Sequence, residues 1–266
     1  MKRKLKRIFI AVLWVLMVAA SLTGLTFANR WQEQAICRAV LIKIHGVQGY
    51  PLISEKEISN IVSQRWGKPV GKPLKDLVFR DLEDDLRRIP VIESAEVFAS
   101  LSGITEIHVT QRKPLMKLFF KEGNTFYLDG FGYFFKVNPG YSDRVLTVSG
   151  QIPFRITNFK RINDIPENNP AYKSVLDLFQ AGKYIQSHRL LNSLIAQVFY
   201  NNNGDVELIP VTGDHTILLG DFSDLEWRLD NLLLFYLRTA GRIDYRRYPV
   251  VNLKFKNQIV LTQNIP

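Results

Sequence analysis

The run Gly67-Lys68-Pro69-Val70-Gly71-Lys72-Pro73 comes nearest to a catalytic device, because glycines ahead of a lysine can cradle phosphate on backbone N–H groups. The residues present do not support that chemistry. The glycines stand one residue too close, Pro73 occupies the position where a hydroxyl would bind magnesium, and no strand feeds the loop. The segment reads as a turn between helices. Asp84 and Asp85 could suggest an acid/base pair, but neighbours on a helix point about 100° apart, and both fall on a polar face. Cys37 is the single cysteine, so it cannot form an intramolecular disulfide. As a nucleophile it would need a base beside it, and His45, His108, His188 and His215 lie in no motif that supplies one. Gly-x-Ser-x-Gly, His-Glu-x-x-His and Cys-x-x-Cys do not occur. The basic, tyrosine-bearing segment 242–248 reads as a solvated connection, with a ligand patch as the alternative. No catalytic, cofactor-binding or metal-binding residue is therefore assigned, and the expectation is a binding protein rather than an enzyme.

The 266 residues, 46% of them hydrophobic, suffice for one large core or two modest ones. A net charge of +10 raises the question of nucleic acid, but Lys2, Arg3, Lys4, Lys6 and Arg7 supply half of that excess. The rest is spread without the basic and aromatic stripe that a phosphate backbone requires. Behind the basic tail, residues 8–28 carry no charge and would extend about 30 Å as a helix, enough to cross a hydrocarbon core. Basic residues in front, against the mixed Arg30, Glu33 and Arg38 behind, place the N-terminus in the cytoplasm. A cleaved signal peptide is the alternative; its apolar core would be shorter, about 7–15 residues. The expected order is a tail at 1–7, a transmembrane helix at 8–28 and a juxtamembrane segment at 29–38, with the bulk extracytoplasmic.

From there the elements become legible. Ala39–His45 is a β-branched run closed by Gly46, and Ser54 with Glu57 forms a capping box ahead of Ile58, Ile61, Val62 and Trp66 at helical spacing. Asp76 is a candidate cap for a second helix carrying Phe79, Leu82, Leu86 and Ile89. Strands follow over 91–101 and 104–112, separated by Ser102-Gly103. This β-α-α-β-β order over 39–113 is the pattern of a POTRA domain. Residues 114–266 read as a mostly antiparallel sheet with flanking helices, giving an α+β chain overall. Strands are expected over 115–120, 125–128, 133–137, 194–200, 205–210, 216–219, 250–255 and 258–262. Helices are expected over 171–181 and after a second capping box at Ser223–Glu226.

Several words are more specific than topology. Ile89-Pro90-Val91-Ile92-Glu93-Ser94-Ala95-Glu96-Val97, Val109-Thr110-Gln111-Arg112-Lys113-Pro114, Tyr127-Leu128-Asp129-Gly130-Phe131-Gly132-Tyr133 and Val145-Leu146-Thr147-Val148-Ser149-Gly150 follow one another in order. In that order they resemble the bacterial cell-division family FtsQ/DivIB, nearly from end to end of the chain. The resemblance implies a non-catalytic, single-pass scaffold of the inner membrane at the division septum, with neither nucleic acid nor a small-molecule substrate. Its implied partners are FtsB/FtsL-like bitopic division proteins and the septal wall synthase complex. A POTRA-containing transport or secretion component is the competing class; repeated POTRA units or barrel strands would favour it.

The family recruits FtsB by strand addition near the C-terminus, which points to Val250, Val251, Asn252, Leu253, Lys254 and Phe255. Asn252 and Lys254 stand where the family carries Asp and Arg. Alternation would turn Val251, Leu253 and Phe255 to the core and leave the backbone edge free, provided that nothing pairs with the segment that follows. A second candidate edge is the strand with Val91, Glu93, Ala95 and Val97, which family topology leaves at a sheet margin.

Overall fold

A computed structural model describes residues 35–46, 51–100, 102–137, 144–156, 159–239 and 242–263, together with 13, 14, 16–20 and 23. Most of the stretch expected to span the membrane, with the basic tail, thus lies outside the described residues. Those described within it are helical, and the Thr23 hydroxyl donates back to the carbonyls of Ala19 and Ala20. Among the described residues no helix is long and apolar enough to cross a membrane. The chain divides into two compact units, with a change at Gln111–Arg112.

In the first unit β1 (Ala39–His45) lies parallel to β3 (Ile104–Gln111), and β3 lies antiparallel to β2 (Ile92–Ala99), giving the order β1-β3-β2. Helix α1 (Glu55–Trp66) starts at the expected box: the Glu57 amide donates to the Ser54 hydroxyl, and the Glu57 carboxylate accepts from the Ser54 amide. It buries Ile58, Val62 and Trp66. Asp76 does not cap the second helix. It ends a 3₁₀ turn (Leu74–Asp76), and α2 (Phe79–Arg87) begins after Val78 without a side-chain cap. Leu82 and Leu86 of α2 join Ala95, Val97, Ile107 and Val109 in the core. Asp84 and Asp85 sit on the charged side as the helical arithmetic requires, Asp84 paired with Arg87 and Asp85 with both Arg65 and Arg88. The Gly67–Pro73 run is a turn between helices, bound to the chain ahead of β1: Cys37 N–H donates to Lys72 C=O, and Gly71 N–H to Cys37 C=O. The Cys37 thiol is fully buried and accepts a bond from the Thr105 hydroxyl at 3.5 Å.

The second unit holds a nine-stranded sheet, ordered β12-β11-β10-β9-β8-β7-β4-β5-β6. Its strands are β4 (Pro114–Phe119), β5 (Thr125–Asp129), β6 (Phe134–Phe135), β7 (Leu146–Gly150), β8 (Ile195–Tyr200), β9 (Val206–Pro210), β10 (Thr216–Gly220), β11 (Val250–Asn252) and β12 (Val260–Thr262). Pairing is parallel at β4/β7, β7/β8 and β10/β11 and antiparallel elsewhere. Helix α3 (Pro170–Ser187) is capped by Asn169, starts with Pro170 and outruns the expected 171–181 by a turn and a half. It lies so close to β4 that a Cβ on Gly182 would sit 2.1 Å from Met116 Cε. His188 breaks the helix, and a six-residue α4 (Arg189–Leu194) leads into β8, an element the periodicity did not announce. Helix α5 (Leu225–Thr239) follows β10, but the capping box expected at its start does not form. The Ser223 hydroxyl bonds to Asp221, and Arg228 closes that turn by donating to Ser223 and to the Leu219 carbonyl.

Candidate partner-binding edges

The motif residues around Arg112 and Asp129 meet in the second unit. The Arg112 guanidinium donates to Asp129 Oδ2 at 2.8 Å with both side chains almost fully buried. The other oxygen of Asp129 accepts the N–H groups of Phe131 and Tyr133, which fixes the turn between β5 and β6. Burial pushes the Asp129 carboxyl above the usual carboxylate range, with the Arg112 bond opposing that shift. Arg112 and Arg161 also lie over the Tyr133 ring, at 3.8 and 3.9 Å from its centre. These residues build structure rather than a surface.

The C-terminal segment departs from the sequence expectation at its edge. Val250–Asn252 runs parallel to β10 on one side and antiparallel to β12 on the other, with Val251 opposite both Ile217 and Leu261. The backbone of β11 is thus not free; the following segment, turned at Asn257 with φ of 63°, covers it. Val251 and Leu253 are buried as alternation requires, whereas Phe255 lies beyond the strand's end and is 47% exposed. The reason is local. Asn252 Oδ1 accepts the Lys254 N–H at 2.9 Å, bending the chain out of the strand, and Lys254 Nζ is held by Asp205 at 2.9 Å. Asn252 and Lys254 therefore serve this bend.

The edge of the large sheet at this side is β12. Among the described residues no side chain bonds to its backbone. Next to it a groove of about 260 Å³ runs between α5 and the β11–β12 hairpin, lined among others by Trp227, Leu234, Leu253, Phe255 and Ile259. Trp227, Leu234 and Phe255 are large apolar side chains left exposed there. At the opposite end of the sheet β6 is covered, since Phe134 N–H donates to Lys160 C=O and Tyr133 bridges Arg161.

In the first unit β2 is an edge strand, as expected of Val91, Glu93, Ala95 and Val97, but two of its outward backbone groups are occupied. Arg87 donates to the Ala95 carbonyl at 2.7 Å, and the Val97 N–H donates to Glu83 Oε1 at 2.8 Å. The residues closing this edge are Glu83 and Arg87 of α2. Their i, i+4 spacing marks only a helical ion pair, and nothing in the residue types signals that task. Val91 precedes the strand and is buried, while Glu93 is exposed at a register shift between Ile92 and Ser94.

Residues 113–262 match the family model FtsQ/DivIB, C-terminal related. The chain belongs to this FtsQ/DivIB-type family. Residues 35–110 match a POTRA-like domain, in agreement with the β1-β3-β2 sheet. No curated protein matches the chain. The two modules together suggest a scaffold role in cell division. Among the described residues no group of three or more His, Cys, Asp or Glu is placed to hold a metal ion.

Proposed function

We propose that this FtsQ/DivIB-type chain is a non-catalytic scaffold of the bacterial division machinery, anchored in the inner membrane by residues 8–28 with its bulk extracytoplasmic at the septum. In this reading it recruits FtsB/FtsL-like bitopic proteins and links them to septal peptidoglycan synthesis. The observation that carries it is the pairing of an edge strand, β12, whose backbone no described side chain bonds, with an apolar groove beside it. A partner segment that adds a strand to Val260–Thr262 gains main-chain hydrogen bonds, and an apolar side chain or helix following it fills the groove at Trp227, Leu234 and Phe255. The segment from Val250 to Phe255 contributes from behind, through Leu253 and Phe255, rather than as the docking strand itself.

The test is a pull-down of the FtsB/FtsL-like coiled-coil pair alongside thermal unfolding, with three variants. Truncation after Asn257 removes β12 and is expected to abolish capture, while Trp227→Ala with Leu234→Ser weakens it by about tenfold or more. Asn252→Ala with Lys254→Ala is expected to lower stability more than binding. A folded truncation that still captures its partner in full would falsify the site.

A further inference from the structure

The closure of β2 has a geometry of its own. Ser100 N–H donates to Ile104 C=O, so the even-numbered residues of β2 bond to β3. Odd-numbered Ala95 and Val97 then direct their backbone groups outward. Glu83 and Arg87 are four apart on α2, about 6 Å along the axis, and Ala95 and Val97 are about 6.6 Å apart along the strand. The match lets one carboxylate accept from Val97 while one guanidinium donates to Ala95, and the two bind each other at 3.1 Å. An acceptor and a donor at this spacing are what a neighbouring strand would present.

We propose that the Glu83–Arg87 pair is a side-chain substitute for a strand, and that it keeps a second copy of this chain from docking β2 against β2. Antiparallel pairing of two copies about a two-fold axis at Glu96 sets Ala95 opposite Val97 of the second copy. In that arrangement the Ala95 carbonyl takes the second copy's Val97 N–H, and the reverse exchange follows by symmetry. Of the four groups that this self-pairing needs, α2 occupies two, the Ala95 C=O and the Val97 N–H; the Ala95 N–H and the Val97 C=O complete the exchange. The side chains on the axis add to the barrier, because exposed Glu96 would face Glu96 of the second copy across a close, non-hydrogen-bonded position. Ser94 would lie opposite Phe98 and offers no obstacle, so the charge and the pair carry the exclusion.

The full chain in detergent is the material for the test, with mass followed by sedimentation against concentration and opening followed by hydrogen exchange at Val97. Glu83→Ala with Arg87→Ala is expected to expose the Val97 amide in the dilute monomer, raising its exchange by about tenfold, and to self-associate as concentration rises. Adding Glu96→Thr should tighten that association by about two- to fivefold. Glu96→Cys reports the register: it should cross-link between copies in the alanine background and not when Glu83 and Arg87 are intact. Glu83→Gln with Arg87→Lys keeps an acceptor and a donor and is expected to stay monomeric. If the alanine pair fails to fold, Arg87→Met alone opens the Ala95 carbonyl and should associate more weakly in the same register. Folded variants that remain monomeric, or that associate without the Glu96→Cys cross-link, overturn the proposal. So does a Gln/Lys variant that associates as strongly as the alanine pair.

Discussion

At β2 a helix reaches across with Glu83 and Arg87 to fill the outward bonds of Ala95 and Val97, whereas at β12 no described side chain does so and Trp227, Leu234 and Phe255 stand open alongside. An uncovered strand invites any other strand, so a protein that needs one docking edge must shut the others. The large sheet follows the same logic at its far side, where the chain at Lys160 and Arg161 covers β6. Position at a sheet margin is therefore a poor guide to binding. Among the described residues, what distinguishes β12 is a backbone that no side chain bonds, together with adjacent exposed apolar surface.

That contrast rests on each unit holding its own edge, and the severest way to break it is to damage one unit alone. Arg112→Ala leaves the Asp129 carboxylate buried without its cation, a loss of about 3–5 kcal/mol in the second unit. Chemical unfolding should show the large sheet melting first, with amide protection in β1–β3 retained. Loss of protection in both units together would mean that they do not fold separately. The reciprocal change is milder. Ser54→Ala removes the cap of α1 and should cost about 1 kcal/mol, lowering the midpoint of the POTRA unit while partner capture through β12 persists.

The smallest expected effect concerns pH. His215 is buried immediately before β10, stacked on Tyr245 with ring centres 4.1 Å apart, and its Nε2 bonds the Tyr236 hydroxyl. Among the described residues its Nδ1 has no hydrogen-bond partner. Burial pushes its pKa below the ordinary value, with Asp214 pulling the other way. A histidine depressed on folding binds its proton more readily in the unfolded chain. The stability it contributes is thus complete above about pH 6.5 and declines as pH falls toward the lower folded value. Protection factors at the amides of β10 and β11, corrected for the intrinsic pH dependence of exchange, should fall on acidification, and His215→Gln should flatten that dependence. A slope unchanged in the variant assigns the pH effect to another group.

Much of this fold is legible where local chemistry is decisive. The Ala39–His45 run, the Ser54 box and the buried spacing of Leu82 and Leu86 each follow from residue type and period. Both strands of the C-terminal hairpin can be read from alternation and from the Lys256-Asn257 break. Which of them forms the edge cannot, because pairing is decided by the chain that returns, and only the structure places Leu261 opposite Val251. The same limit hides the closure of β2. A glutamate and an arginine four apart on a helix read as a solvated pair until a strand lies within their reach. The failed box at Ser223 is instructive in the same sense: Arg228 and Asp221 compete for the serine and win it. The short α4 escaped because six residues are too few for a period to declare itself.

The parallel contact between β10 and β11 has a consequence in time rather than space. Parallel neighbours require a crossover, and here it comprises α5 and the segment to Pro249, so β11 can join the sheet only after a long loop has closed on a core already in place. β12 pairs with β11 and follows it. Contacts of such sequence separation form late, when the entropy of closure can be repaid by finished packing. The surface proposed to recruit partners is therefore assembled only once β11 and β12 have joined, and a chain whose large sheet stops short of them presents the β10 edge in place of β12.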